Sequence, residues 1–378
     1  MCLSLLICLK ANTKPRLEGH WKEVKLDSEY KGPNLDKAVD QVFATALFEY
    51  YKCGDGKVSL PKRYVLRILE DVKRHFMTTS QLVNITIETD EKVIVVGDTH
   101  GQFFDVCNIF DTLGMPSQKN HFLFNGDYVD RGPFGVEICL VLFSFILSDP
   151  THLYASRGNH ETYYANKRYG FYDEVIQKYD RETYDFFNDV FSSMPVAHII
   201  NNTVFVVHGG ISTTIKNIAK INEIPKGLEP QKGTFYMEYL WNDPMEQNGV
   251  KPSERGIGFY FGPDAVIDFL EENNLQLVIR SHEVKSNGYE WLNNESGCLT
   301  IFSAPNSESD GNLGAVVELQ FDENKDVTCE IKQFRQVNGP ILKIEKAPEE
   351  DKGKVFLFCY APIILVTTSA LAILLSCL

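Results

Sequence analysis

Paired cysteines are missing from this sequence. Its nine cysteines stand at positions 2, 8, 53, 107, 139, 298, 329, 359 and 377, an odd number with no CxxC. This excludes a short secreted disulfide framework, and reduced thiols in a cytosolic domain are the expectation. Basic residues are also scarce: 37 Lys and Arg face 51 Asp and Glu, a net charge of -14. A nucleic-acid binder is argued against, since backbone phosphates are held mainly by lysine and arginine, although a local basic pocket is still allowed. No internal repeat of 20 to 50 residues is visible, which predicts neither a solenoid nor a repeat-type docking module. MCLSLLICLK has no basic stretch ahead of its apolar residues and makes a poor secretory signal, so residues 1–27 are read as an N-terminal arm. Asn84, Asn201 and Asn294 open N-x-S/T triplets, which are common by chance and carry little weight.

What is present is core-forming material. The 378 residues are 44% hydrophobic and 12% aromatic, ample for one large domain or two small ones. Residues 355–378 run 24 positions without a charge, more than the roughly 20 a bilayer-spanning helix needs. A transmembrane anchor is expected there, with the catalytic part facing the cytosol and 341–354 as a polar linker. From Leu35 to about Met77 the pattern is helical, with Val65, Ile68, Leu69, Val72 and Phe76 at helix spacing, Pro61 at a first-turn position and GDGK (54–57) as a turn. From residue 92 the texture changes to short apolar runs at 92–97, 121–126, 152–158, 203–210 and 275–282, each followed by Gly, Asp, Asn or His and then a helical pattern. Strands alternating with helices predict an α/β fold. Past Gly297 the apolar stretches lack intervening helices, which predicts an antiparallel part to the sheet.

Polar residues sit where each apolar run stops. In order they are Asp98 and His100 in GDTHG, Asp127, Asp130 and Arg131 in GDYVDRG, Arg157, Asn159, His160 and Glu161 in RGNHE, His208 in HGG, and His282 in RSHE. Open α/β sheets place ligand sites at the carboxyl ends of strands, so these residues are expected to share one mouth. Carboxylates, neutral imidazoles and an amide oxygen without thiolate suit manganese, iron or zinc, and predict a dinuclear centre with Asp127 as its bridge. Arg131 and Arg255 can clamp phosphoryl oxygens by forked hydrogen bonds. An alkoxide leaving group needs a general acid, a role open to His160 paired with Asp130. Singly, each residue has a structural reading, a turn for Asp-Gly or a satisfied core imidazole for His. Four of the nine histidines nevertheless fall in these motifs, and His20, His75, His121, His152 and His198 are left structural.

At these five motifs the sequence resembles the metal-dependent protein serine/threonine phosphatase family. Its type-five branch is the nearest, matched from about Tyr30 to Gly339 through YKGPNL, LWNDP, RGIGFYFGPDA, FLEENNL and RSHEVKSNGYE. The resemblance implies a calcineurin-like metallophosphoesterase fold, a central β-sandwich flanked by helices, over a catalytic domain spanning 28–340. It implies two divalent metal ions, manganese first and iron or zinc as alternatives, one held by Asp98, His100 and Asp127 and the other by Asp127, Asn159, His208 and His282. It further implies phosphate contacts from Arg131, Asn159, His160 and Arg255, with Asp130 orienting His160, and hydrolysis of phosphoserine and phosphothreonine in protein substrates.

Three departures stand out. The family's SAPNY loop reads SAPNS, placing Ser307 where a tyrosine is usual. No tetratricopeptide period precedes GDTHG, so chaperone docking through such repeats is not expected. The apolar C-terminus is not a usual family feature. A phosphoprotein-binding module without turnover and a phosphoesterase for small molecules are the competing readings.

Overall fold

Alternation within the apolar runs decides how the sheets stack. The computed structural model describes residues 19–293, 297–307 and 311–348. A six-stranded sheet comprises β1 (Leu82–Ile85), β5 (Ala197–Ile200), β6 (Val204–Val207), β10 (Leu277–Arg280), β12 (Cys298–Ile301) and β11 (Tyr289–Trp291), adjacent in that order. A five-stranded sheet comprises β14 (Val327–Phe334), β13 (Gly314–Phe321), β2 (Lys92–Val96), β3 (Asn120–Phe124) and β4 (Leu153–Ala155). Successive side chains of a strand point to opposite faces. Val93 and Val95 of β2, Val204 and Val206 of β6, and Leu277 and Ile279 of β10 therefore meet in one buried cluster between the sheets. Phe205, Val207 and Val278 point the other way and join a second cluster. Each fully buried Val, Leu, Ile or Phe contributes roughly 1.5–3 kcal/mol, so the two clusters hold the sandwich shut.

Helices cover the outer faces. On the five-stranded side lie α1 (Gln41–Lys52), α2 (Lys62–Thr78), α3 (Phe103–Leu113), α4 (Gly135–Ser148), α5 (Tyr163–Asn166), α6 (Phe171–Lys178) and α7 (Arg181–Phe191). Phe110 of α3 meets Phe122 and Phe124 of β3 edge-on at 5.0 and 6.0 Å. Both α1 and α2 pack on α4, which is buried almost throughout. The other side carries α8 (Phe235–Trp241) and α9 (Pro263–Asn273), whose Tyr239, Leu240, Val266 and Phe269 complete the second cluster. A small third sheet, β7 (Asp243–Pro244), β9 (Phe259–Phe261) and β8 (Val250–Pro252), folds the 243–261 segment into a flap. Packing divides the chain at Lys346, and all these elements belong to the first unit.

The expected helical pattern resolves into two helices with GDGK between them. Helix α1 starts at Gln41, where the Asp40 carboxylate accepts from the Phe43 amide at 2.8 Å, rather than at Leu35. Pro61 precedes α2 as its N-cap, one position earlier than expected. All five apolar runs contain a strand at the expected place. Past Gly297 the antiparallel pairs are β13 with β14 and β2, and β12 with β11, while Cys298–Ile301 also joins β10 in parallel.

The membrane assignment needs correction. Among the described residues no helix is long and apolar enough to cross a membrane. The 355–378 tail lies outside the described residues, and an uncharged run meets a length criterion without by itself making a helix.

Candidate active site

Parallel strands of both sheets deliver their carboxyl ends to one place. Asp98 and His100 follow β2, Asp127 follows β3, Asn159 and His160 follow β4, His208 follows β6 and His282 follows β10. A parallel bridge from Asp98 to Phe302, just after β12, ties the two sheets together at this edge. The turns are tight. His100, Asp127, Asp130, Arg131 and His282 all have left-handed backbone, with φ of 41°, 54°, 70°, 66° and 73°. Such conformations cost of order 1–3 kcal/mol at a non-glycine residue and persist where surrounding structure imposes them. The buried Glu161 carboxylate does so here, accepting from the amides of Asp127 (2.7 Å), Tyr128 (2.8 Å) and Gly158 (2.9 Å). Gly158 must be glycine, because a Cβ would lie 2.3 Å from Asp127 Oδ1.

Asp127 sits at the centre of two ligand-type groups, His100–Asp127–His160 and Asp127–His208–His282, each with donor atoms within 4.8 Å of one another. Asp98 joins the first, its Oδ2 lying 3.6 Å from His100 Nε2, while Asp127 Oδ2 lies 3.8 Å from the same nitrogen. In the second, His208 Nε2 lies 3.3 Å from Asp127 Oδ1. Asn159 completes it, its side-chain oxygen lying 2.7 Å from His208 Nε2, 2.9 Å from His282 Nδ1, and 3.1 and 3.2 Å from the Asp127 oxygens.

Imidazole orientation follows from the opposite ring nitrogen. His100 Nδ1 donates to the Val129 carbonyl at 3.0 Å and His208 Nδ1 to that of Asn125 at 2.9 Å, so in the neutral rings both Nε2 lone pairs face inward. Asn159 oxygen, Asp127 carboxylate and imidazole lone pairs are then acceptors facing acceptors. Turning the amide would relieve this, and so would a cation among them. The donor set, nitrogen and oxygen without thiolate, fits divalent first-row cations.

Electrostatics favour the ligand form of His100, His282 and Asp127, whereas at His208 burial is outweighed by the Asp127 charge, which raises it above the usual imidazole value. Burial, reinforced by the His160 charge, lowers His100 to about 3. Burial and the nearby Arg255 hold His282 well below the usual imidazole range. At Asp127 burial opposes ionisation, but His208, His160 and His100 outweigh it and hold the carboxyl well below the usual range. Burial and the Asp127 charge raise Asp98 to about 6. His160 behaves differently: burial would depress it, yet Asp127 and its 2.6 Å bond from Nδ1 to Asp130 raise it to about 9. Asp130 is itself anchored by the Phe171 amide at 2.8 Å.

The two expected phosphate clamps stand at the rim. Arg131 is exposed and close enough for its charge to act on His100 and His160. Arg255, on the flap, bonds through Nε to Asp243 Oδ2 at 2.7 Å. Ser307 is buried in the loop after β12, its amide donating to Asn312 Oδ1 at 2.8 Å.

Asp243 was not singled out from the sequence, where it is one acid after an apolar helix with nothing in its spacing to mark it. The structure shows its buried carboxylate shared between Arg255 and the fully buried Arg280, whose Nη2 lies 2.8 Å from Asp243 Oδ1. His282 Nε2 has no hydrogen-bond partner and lies 4.0 Å from the same oxygen. Asp243→Ala would leave Arg280 buried with one counter-charge fewer and free Arg255 to wander. A stability loss of about 3 kcal/mol in urea unfolding is expected.

Residues 91–286 match the family model described as calcineurin-like phosphoesterase. The chain is 42% identical over 325 residues to serine/threonine-protein phosphatase 5 of Homo sapiens, covering 85% of this chain and 64% of that protein. It is 39% identical over 327 residues to serine/threonine-protein phosphatase T of Schizosaccharomyces pombe, covering 85% and 67%. A solved protein serine/threonine phosphatase from Saccharomyces cerevisiae, described as similar to human phosphatase PP5, superposes with a TM-score of 0.72 at 35% identity, over 78% of this chain and 98% of that one. The chain thus spans 64% of the human relative's length, less than two thirds of it, and 67% of the Schizosaccharomyces pombe one's.

A second family model, described as PPP5 TPR repeat region, matches residues 10–84. This overturns the expectation that no such region precedes the site, and with it the exclusion of chaperone docking through tetratricopeptide repeats. A search for a period cannot register a segment present once, and the matched range holds α1 and α2 a single time. The matched relatives are phosphatases of this type, and the membrane and transmembrane assignment is withdrawn. By motif, fold and identity, the chain belongs to the calcineurin-like phosphoesterase family.

Proposed function

We propose that the protein hydrolyses phosphoserine and phosphothreonine in protein substrates. The observation that carries this reading is Asp127 standing in both ligand-type groups at once, as a bridge between two cations would. In the proposal Asp98, His100 and Asp127 hold one cation, and Asp127, Asn159, His208 and His282 the other. Manganese is proposed first, with iron and zinc as alternatives that the same nitrogen and oxygen donors accommodate. A bound pair supplies Lewis-acid activation of water and of the phosphoryl oxygens. Arg131 and Arg255 orient the phosphoryl group by forked hydrogen bonds, joined by Asn159 and His160. His160, held by Asp130, delivers a proton from Nε2 to the departing serine or threonine oxygen, the step a poor leaving group requires. A cytosolic setting is proposed for the catalytic part, since Cys53, Cys107, Cys139, Cys298 and Cys329 are all unpaired.

Metal analysis of the purified chain, with phosphopeptide hydrolysis followed through chelation and readdition of manganese, tests the reading. About two cations per chain and activity that disappears and returns are expected. Hydrolysis no faster than that of Asp127→Asn would sink it.

A further inference from the structure

Beside the site runs a ridge whose charge opposes that of the whole molecule. Many of the described lysines and arginines of this acidic chain are matched with carboxylates, as in Lys52–Asp111 (2.6 Å), Lys62–Asp180 (2.5 Å) and Lys216–Asp268 (2.9 Å). The segment 163–169, YYANKRY, is different. Among the described residues neither Lys167 nor Arg168 has a carboxylate partner. Each is held instead by the tyrosine one helical turn earlier. Lys167 Nζ donates to the Tyr163 hydroxyl at 3.3 Å and sits 5.2 Å from that ring's centre. Arg168 Nη1 donates to the Tyr164 hydroxyl at 3.1 Å, and its guanidinium lies 6.0 Å from the centre of the Tyr169 ring.

These contacts organise the cations without neutralising them. The acids close by are committed elsewhere: Glu229 pairs with buried Arg157 and accepts from the Tyr163 amide, and Asp185 pairs with Arg181. Tyr164 and Tyr169 are 61% and 49% exposed, so the ridge offers aromatic faces as well as charge.

Its position ties it to the reaction. The Tyr169 ring lies 5.3 Å from the His160 ring, and the Tyr169 carbonyl accepts from the Arg131 amide at 3.2 Å. Arg168 therefore stands one residue from a side chain that touches the proposed proton donor. Through Tyr169 the segment carrying Lys167 and Arg168 is thus joined to Arg131, one of the two proposed phosphate clamps.

We propose that Lys167 and Arg168 select substrates carrying Asp or Glu close to the phosphorylated residue. The inference rests on the phosphatase reading and names the substrate class of that same site. An acidic peptide approaching a chain of net charge -14 meets overall repulsion, which these two local cations offset at short range.

Two phosphoserine peptides, identical except for Glu or Gln at the flanking positions, decide the matter with wild type and with Lys167→Gln/Arg168→Gln. Wild type is expected to favour the acidic peptide in kcat/KM by about tenfold at low salt, the scale of two partly exposed ion pairs. The preference should shrink in 0.5 M salt and fall to near parity in the double variant, with the Gln peptide hydrolysed at the wild-type rate. That last rate reports correct folding of the variant, and Lys167→Glu/Arg168→Glu should reverse the preference. Equal rates on both peptides in wild type, or a preference untouched by the variants, overturns the proposal. If wild type hydrolyses neither peptide, the phosphatase reading fails by itself. Fluorescence anisotropy of the same labelled peptides then reads the ridge, and equal affinity for both overturns it.

Discussion

Asp127→Asn is expected to lower phosphopeptide hydrolysis at saturating manganese by at least about a thousandfold, the scale on which removing a central electrostatic element acts. Asparagine keeps the shape. It can still accept the His160 amide that now bonds to Asp127 Oδ1 at 2.8 Å. Its backbone stays pinned by Glu161, and stability should change little. What disappears is the negative charge common to both ligand-type groups, and with it the anion that holds His208 and His160 above their buried preference. Metal content is the diagnostic readout: the variant should retain fewer than two cations per chain. Activity within about tenfold of wild type, with two cations still bound, would remove Asp127 from the centre of the mechanism.

The second large effect belongs to His160, and its size should depend on the leaving group. His160→Gln is expected to slow hydrolysis of a phosphoserine peptide by about 10² to 10⁴, the range for general acid catalysis. With p-nitrophenyl phosphate, whose phenolate departs without a proton, the loss should be far smaller. A merely structural histidine would slow both substrates alike. The pH profile carries the same information. Burial works against protonation of His160, while Asp127 and Asp130 raise it to about 9. An acid must be protonated to act, so the rate on the phosphoserine peptide should fall as pH rises toward that value. Cations that neutralise Asp127 weaken its pull, so the alkaline limb should lie below pH 9. In His160→Gln that limb should vanish.

Strand positions were legible because they are written locally. The five apolar runs ended in strands where expected, since alternating burial on both faces leaves unbroken Val, Ile, Leu and Phe runs that few other structures can accommodate. Two strands of the six-stranded sheet and the small three-stranded sheet were not legible in the same way. Strands β1 and β5 are four residues each, and the 243–261 flap mixes glycine, proline and charge, so neither carries a periodic signal. The repeat-type region at 10–84 escaped for a related reason, because a feature that occurs once has no period. The apolar tail misled for the opposite reason: composition marked it strongly, yet it says nothing of the structure that composition adopts.

For the site, motif chemistry in GDTHG, GDYVDRG, RGNHE, HGG and RSHE named the side chains that converge, since hard ligands at strand ends have few structural uses when they occur together. Residue order along the chain could not supply the partners that hold them. Asp243 lies 37 residues before Arg280 and 12 before Arg255, and only the folded flap places one carboxylate between the two guanidiniums. Likewise nothing in the residue order marks Lys167 and Arg168, and only the contacts of neighbouring Tyr169 with His160 and Arg131 tie their segment to the site. The identity of the chemical groups is a local property that one dimension records. Their pairing, burial and charge environment depend on distances between segments far apart in the chain, and those distances exist only once the two sheets have closed on their common core.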